Sequence, residues 1–397
     1  MCSSFKYAFA VKMKNDFLVF PVFEYKHIFI FRLVVMVFAL LNLSSLQSQA
    51  VDLSPLVDQN ATSSTRFLSK KLQIISKHGF AIGHQDASSY GIGWKHKDHP
   101  DKIDSDVKRV IGDFPAVFGF DIGGIELDSA ENLDSVPFDT MRNLIIDAYS
   151  KGGIITISWH ADNPVSGGDS WDKTPAVAQC LKVESQREKF ELWVKRVAGF
   201  LNSLEYKGEK IPVIFRPFHE MNGSWFWWGD PNCTAGDYIS LWKDTVTLLR
   251  DIHQVHHLLY AYSPNKLNPQ DQYLKYYPGD DFVDIFGVDI YDRNNSGDYI
   301  KSVKQDLQLV SSIAGKKNKL YAFTETGLEK IPTEKWFTEV LYPAIENSGI
   351  SWVLMWRNHI TSHHYMPFKG HPSEKDFKNF EALPKTLFLK DTNQLKY

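Results

Sequence analysis

Pro-Val-Ile-Phe-Arg-Pro-Phe-His-Glu, running from Pro212 to Glu220, decides the reading of this chain. Its apolar residues follow one another without polar alternation, the pattern of a parallel strand covered on both faces. The run then delivers Arg216, His219 and Glu220 toward its carboxyl end. A charge in such a place has lost solvation that water would have supplied, so it needs a chemical reason to be there. A second run, Leu-Tyr-Ala-Phe-Thr-Glu-Thr-Gly from Leu320 to Gly327, repeats the pattern and ends around Glu325.

Outward from these two, eight strand-like runs follow residue 78: Phe80–Gly83, Ala116–Phe120, Ile154–Trp159, Val213–Phe218, Leu258–Tyr262, Asp284–Ile290, Leu320–Thr324 and Trp352–Trp356. Helical patterns such as Asp139–Ser150, Ser185–Leu204 and Asp237–His253 lie between them. Strand–helix alternation of this kind predicts a (β/α)8 TIM barrel, an α/β fold, forming a single catalytic domain. A doubly wound open sheet is the rival, but no Gly-rich phosphate loop follows the first strand. The segments from Ala161 to Glu184 and from Met221 to Gly236 are long and rich in Gly and Pro. Loops of this kind at the carboxyl ends of barrel strands build active sites.

In this register Glu220 ends strand four and Glu325 ends strand seven. Glycoside hydrolysis needs one carboxylic acid to protonate the departing oxygen and a second carboxylate to attack the anomeric carbon or activate water. A lone Glu at a strand end has a plainer structural explanation; two of them, each among aromatics, point to chemistry. Arg216 is placed to keep the second carboxylate anionic, or else to form an ion pair in the barrel core. Read from the residues alone, His160 and His219 could each be a satisfied buried histidine. Trp225, Trp227, Trp228 and Trp356 are candidate stacking platforms, with Trp171 a weaker one, because sugar C–H faces pack on aromatic rings. His359, His363 and His364 invite a metal reading, but a polar loop explains them, and no ligand-like spacing of His, Asp and Glu is present. No metal and no cofactor are expected.

The segments Gly83–Asp86, Ser158–His160, Arg216–Gly229 (which contains His219-Glu220-Met221-Asn222-Gly223), Val288–Tyr291, Thr324–Gly327 and Met355–Asn358 resemble those of glycoside hydrolase family 26. The likeness covers about residues 66–390, and the His-Glu-Met-Asn-Gly segment is its most specific part. That family is dominated by endo-β-1,4-mannanases, and the resemblance implies a retaining hydrolase of β-1,4-mannosidic linkages acting by double displacement. It further implies Glu220 as acid/base, Glu325 as nucleophile, and His160, Arg216, His219, Trp225, Asp289, Tyr291 and Trp356 as substrate-binding residues. Tyr291 is expected to hydrogen-bond the nucleophile, Trp225 to form an aglycone-side platform and Trp356 the floor beneath subsite −1. The expected partner is a β-mannan polysaccharide or a manno-oligosaccharide. Another β-linked glycan, β-1,3-xylan or mixed-linkage β-glucan, is the alternative substrate. A non-catalytic glycan-binding protein would be expected to have lost one glutamate, and both are present. The loop from Arg357 to Phe368 is expected to set how many glycone subsites are open.

The whole chain has 397 residues and a formal net charge of -3, so no basic field suggests a nucleic-acid partner. Aromatics make up 14%, including 11 Trp, which serves a core as well as a sugar site. Arg32 followed by the apolar run Leu33 to Leu43 and by Ser48-Gln49-Ala50 reads as a secretory signal with its cleavage site. The run is shorter than the ~20 residues of a membrane span. Residues 1–50 are therefore read as a removed leader and upstream extension, with Met13 a better start than Met36, which would lose the basic flank. The catalytic domain is 51–397. Export to the periplasm, cell surface or medium is expected, with no stable span after cleavage and a monomeric enzyme. Cys180 and Cys233 are candidates for a disulfide in an oxidising compartment; their distance is not legible from sequence.

Overall fold

The computed structural model describes residues 53, 55–96, 103–267 and 272–397. The leader read in residues 1–50 lies outside them. Eight parallel strands form the frame: β1 Phe80–Gln85, β2 Val117–Asp121, β3 Ile154–Trp159, β4 Val213–Pro217, β5 Leu258–Tyr262, β6 Ile285–Asp292, β7 Leu320–Leu328 and β8 Trp352–Met355. Each pairs in parallel with the next, and β8 closes on β1 through Ala81↔Trp352 and His84↔Met355, so the sheet is a closed barrel with helices between the strands. The eight expected strands are the eight observed ones, with ends shifted by a few residues; β6 and β7 run further than read, to Asp292 and Leu328.

The two faces of each strand have different tasks. Phe215, Phe286, Val288 and Phe323 point outward into the large core between barrel and helices. Ile154, Ile214, Leu259, Ile285, Leu320, Ala322 and Trp352 belong to the smaller inner core. The inner core also takes Leu68, Leu72 and Ile75 from the helix Ser63–His78. That helix therefore plugs the end of the barrel where the strands begin, and replacing Leu72 with Ala would cost about 2–5 kcal/mol. Its start is fixed by Thr62, whose hydroxyl accepts a hydrogen bond from the Thr65 amide.

Above the apolar layer the barrel narrows to small residues. A Cβ on Gly119 would lie 2.1 Å from Gln85 Oε1, and one on Gly287 would lie 2.5 Å from Thr324 Oγ1. Above these come Asp121, Ser158, Arg216, Ser263, Asp289 and Glu325, all buried. The interior thus changes from hydrocarbon to charge along its axis, and the charged end lies at the carboxyl ends of the strands.

Candidate active site

Glu325 owes its direction to a β-bulge. Val288 pairs with Phe323, but the next residue, Asp289, pairs with Glu325. On the other side Phe323 pairs with Val353, and Thr326 with Met355. One extra residue, Thr324, has entered β7. Strict alternation would turn Glu325 outward, because Phe323 faces out and Thr324 faces in. The extra residue lets Thr324 and Glu325 both face the barrel axis, the re-aiming for which bulges are used beside active sites. Thr324 Oγ1 donates to Asp289 Oδ1 at 2.6 Å and secures the bulge.

Glu220 is turned by a different device. Phe218 and Glu220 both have positive φ, 47° and 56°, a conformation that non-glycine residues seldom adopt. The elbow is held from outside. Tyr238 donates its hydroxyl to Phe218 O at 2.9 Å, Trp228 its Nε1–H to His219 O at 2.8 Å, and the Glu220 amide donates to Ser263 O at 2.8 Å. Local strain persists where surrounding contacts over-determine it.

Around these carboxylates opens a cleft of about 830 Å³, lined among others by His160, Trp171, His219, Glu220, Trp225, Tyr291, Glu325 and Trp356. The two glutamates differ in their partners. Glu325 accepts from Arg216 Nη2 at 2.5 Å and from the Tyr291 hydroxyl at 2.5 Å, one bond on each oxygen. Glu220 accepts from Trp225 Nε1 at 2.7 Å. Burial, then the nearby charges of Glu325 and Asp289, push the Glu220 carboxyl well above the usual carboxylate range, against the pull of the Trp225 N–H and Arg216. Burial and the adjacent Glu325 also raise the Tyr291 phenol, so it stays protonated and can donate. His219 is held neutral by burial and by Arg216 and His160.

Seven of the nine site residues read from sequence line this cleft. The other two, Arg216 and Asp289, are corrected from substrate-binding to supporting positions. Arg216 is 2% exposed and Asp289 fully buried, beneath the cleft floor. Arg216 spans Glu325 and Asp289, reaching Asp289 Oδ2 with Nη1 at 2.9 Å. Burial works against the guanidinium, but Asp289 and Glu325 hold it protonated. Of the tryptophans, Trp227 and Trp228 are fully buried and are core, not platforms. Trp227 donates to Ala161 O at 2.9 Å, and Trp228 stacks on Phe226 with ring centroids 4.4 Å apart. Trp171, the weaker candidate, stands in the cleft, 47% exposed and stacked against His160. Cys180 and Cys233 are free.

A family model for glycosyl hydrolase family 26 matches residues 57–342. The chain belongs to that family. It is 34% identical over 363 residues to a mannan endo-1,4-beta-mannosidase of Bifidobacterium adolescentis, covering 85% of this chain and 36% of that one. It is 32% identical over 234 residues to a mannan endo-1,4-beta-mannosidase of Bacillus subtilis, covering 56% of this chain and 60% of the other. The chain thus spans between about a third and three-fifths of the length of these curated relatives. Among solved structures, a GH26 beta-mannanase from Bacteroides ovatus superposes with a TM-score of 0.80 at 42% identity, over 85% of this chain and 98% of that one. A modular endo-beta-1,4-mannanase from Cellulomonas fimi gives a TM-score of 0.76 at 34% identity, over 85% of this chain and 78% of the other.

In this family 26 barrel the cleft also has residues that sequence reading did not single out. Asn265 and Lys266 follow β5, and Arg293, Asn295 and Asp298 follow β6. Arg293 lies over the Tyr291 ring, 5.2 Å from its centroid. Asp121, at the end of β2, stands 2.6 Å from His160 Nδ1. Glu126, pushed up to about 7 by burial, accepts from Trp159 Nε1 and from the Asp162 amide, and so braces the loop after β3. No group of three or more His, Cys, Asp or Glu side chains suited to a metal occurs among the described residues. None of their helices is long and apolar enough to cross a membrane.

Proposed function

We propose that the chain is a retaining β-mannanase that hydrolyses β-1,4-mannosidic linkages by double displacement, with Glu325 as nucleophile and Glu220 as acid/base. The observation that carries this is the unequal treatment of two neighbouring carboxylates. Glu325 is an acceptor at both oxygens, from Arg216 and Tyr291, whereas Glu220 is buried toward its protonated form. Environments that push two carboxylates apart assign the acid and the nucleophile.

In the first step a Glu325 oxygen bonds to the anomeric carbon. The glycosidic C–O bond breaks, and the departing oxygen takes its proton from Glu220. Esterification then removes the charge of Glu325, which is, after burial, the largest cause of the raised Glu220 pKa. The pKa of Glu220 falls, and the same group becomes a competent base. It takes a proton from water, the water oxygen bonds to the anomeric carbon, and the ester to Glu325 breaks. Trp225 and Trp356 offer aromatic faces to the sugar rings, and His160 and His219 offer polar edges. The mannosidase names of the relatives support mannan as the substrate. The apolar run Leu33 to Leu43 and a polymeric substrate together support export.

Unbranched mannan, β-1,3-xylan and mixed-linkage β-glucan are the substrates to compare, with the anomeric form of the first products followed by proton NMR. Mannan cleavage giving β-anomers first is expected. Fresh α-anomers would remove the double-displacement scheme, and preference for xylan or glucan would remove the mannan assignment. N-terminal sequencing of protein recovered outside the cytoplasm checks export, with a start near Val51 expected.

A further inference from the structure

Asp121 is fully buried at the end of β2 and lines no part of the cleft, yet the loop that carries His160 is organised around it. The β2–β3 register sets Asp121 beside Ser158. Asp121 Oδ2 accepts from Ser158 Oγ at 2.6 Å and lies 2.6 Å from His160 Nδ1. Oδ1 accepts from the Gly123 amide at 2.8 Å and from the His160 amide at 3.3 Å. The backbone is pinned as well, since Asn132 Nδ2 donates to Asp121 O at 2.8 Å. A Cβ at position 123 would come within 2.6 Å of His160 O, so the turn that makes these contacts has no room for a larger residue.

A carboxylate only accepts hydrogen bonds, so the proton in the Asp121–His160 contact sits on Nδ1. His160 and Ser158, after the opposing effect of burial, hold Asp121 below its ordinary pKa and therefore ionised. The His160 ring is also confined by aromatic neighbours: Trp171 stacks on it at 5.4 Å, and His219 meets it edge-on at 4.6 Å. These rings limit the plane of the imidazole but not which nitrogen faces the sugar; Asp121 settles that.

We propose that Asp121 is a positioning residue: it holds the His160 ring with Nδ1–H turned inward, and so fixes Nε2 as the edge that the cleft presents to a sugar hydroxyl. The role rests on reading the cleft as a glycosidase site. Which ring nitrogen faces the cleft is set by the hydrogen bond that the other one makes. Asp121→Asn keeps the shape but offers its amide N–H or its carbonyl oxygen, so the ring loses its fixed sense.

The test is a double-mutant cycle with Asp121→Asn, His160→Ala and the double variant, measured as kcat/KM on manno-oligosaccharides. Each single change is expected to reduce kcat/KM by roughly ten- to a hundredfold, the fold-change that the loss of one buried hydrogen-bond partner produces. The double variant should be no worse than His160→Ala alone. If Asp121→Asn costs as much again in the His160→Ala background, Asp121 acts on the fold and not through His160, and the proposal fails. A measurement on the wild-type chain needs no folded variant at position 121. Ring 15N shifts of His160, assigned by their loss in His160→Ala, should report a protonated Nδ1. A ring whose Nδ1 carries no proton would overturn the proposal. A wild-type protein that cleaves no β-glycan but shows the Nδ1–H signal would refute the glycosidase reading and the substrate role of Nε2, leaving only the contact itself.

Discussion

Arg216 and Glu325 lie 109 residues apart in sequence and meet inside the barrel with Nη2 2.5 Å from Oε2. Removing one member of a buried ion pair leaves the other charge without compensation, at a cost of about 3–5 kcal/mol. Arg216→Met should therefore lower stability in urea titration by that order, because it strands both Glu325 and Asp289. Arg216→Lys should restore little of the activity, since an ammonium cannot reach two carboxylates as the planar fork does. Wild-type kcat in the lysine variant would show that the fork geometry is dispensable.

Glu325→Gln should bring the Glu220 pKa down. The neighbouring charge of Glu325 follows burial as a cause of the raised value. A neutral amide takes that repulsion away, so the ionised form of Glu220 becomes easier to form. Carbon-13 NMR of labelled glutamate carboxyls across a pH series reads this directly. A Glu220 titration that stays put or moves upward contradicts the pairing.

Trp225→Phe keeps an aromatic surface and deletes the N–H that reaches Glu220 Oε2. That bond favours the ionised carboxyl, so its loss raises the Glu220 pKa. The proposed first step needs Glu220 protonated, and kcat/KM should accordingly hold to higher pH than in the wild type before it falls. An alkaline limb shifted to lower pH would reverse the assignment of donor and acceptor.

Glu220→Ala should separate substrates by leaving group. General acid assistance is worth roughly 10²–10⁴-fold. Unactivated oligosaccharides should lose a factor in that range, whereas an aryl glycoside with an acidic phenol should keep its first step and show a burst of phenolate. Equal losses on both substrates would exclude Glu220 as the proton donor.

The barrel was legible because parallel strands buried on both faces leave continuous apolar runs, as at Ile154–Trp159 and Leu258–Tyr262, where read and observed limits coincide. Glu220 and Glu325 were legible as charges that such runs do not otherwise carry. The bulge at Thr324 was not, because an extra residue appears only when two strands are laid side by side. Asp121 escaped for the same reason: its contact with His160 crosses from one strand end to the next. Trp227 and Trp228 were misread because a tryptophan that packs a core and one that stacks on sugar have the same composition, and only burial separates them.

The extra residue in β7 also divides the barrel into two territories. Below Thr324 the strands obey one register and carry the packing; above it the register is reset and carries Glu325. Apolar side chains in the lower territory can be exchanged for others of similar volume without rotating Glu325, whereas deleting Thr324 would turn the carboxylate toward the helices while leaving the inner core untouched. Sturdiness and reactivity are thus separately adjustable along a single strand.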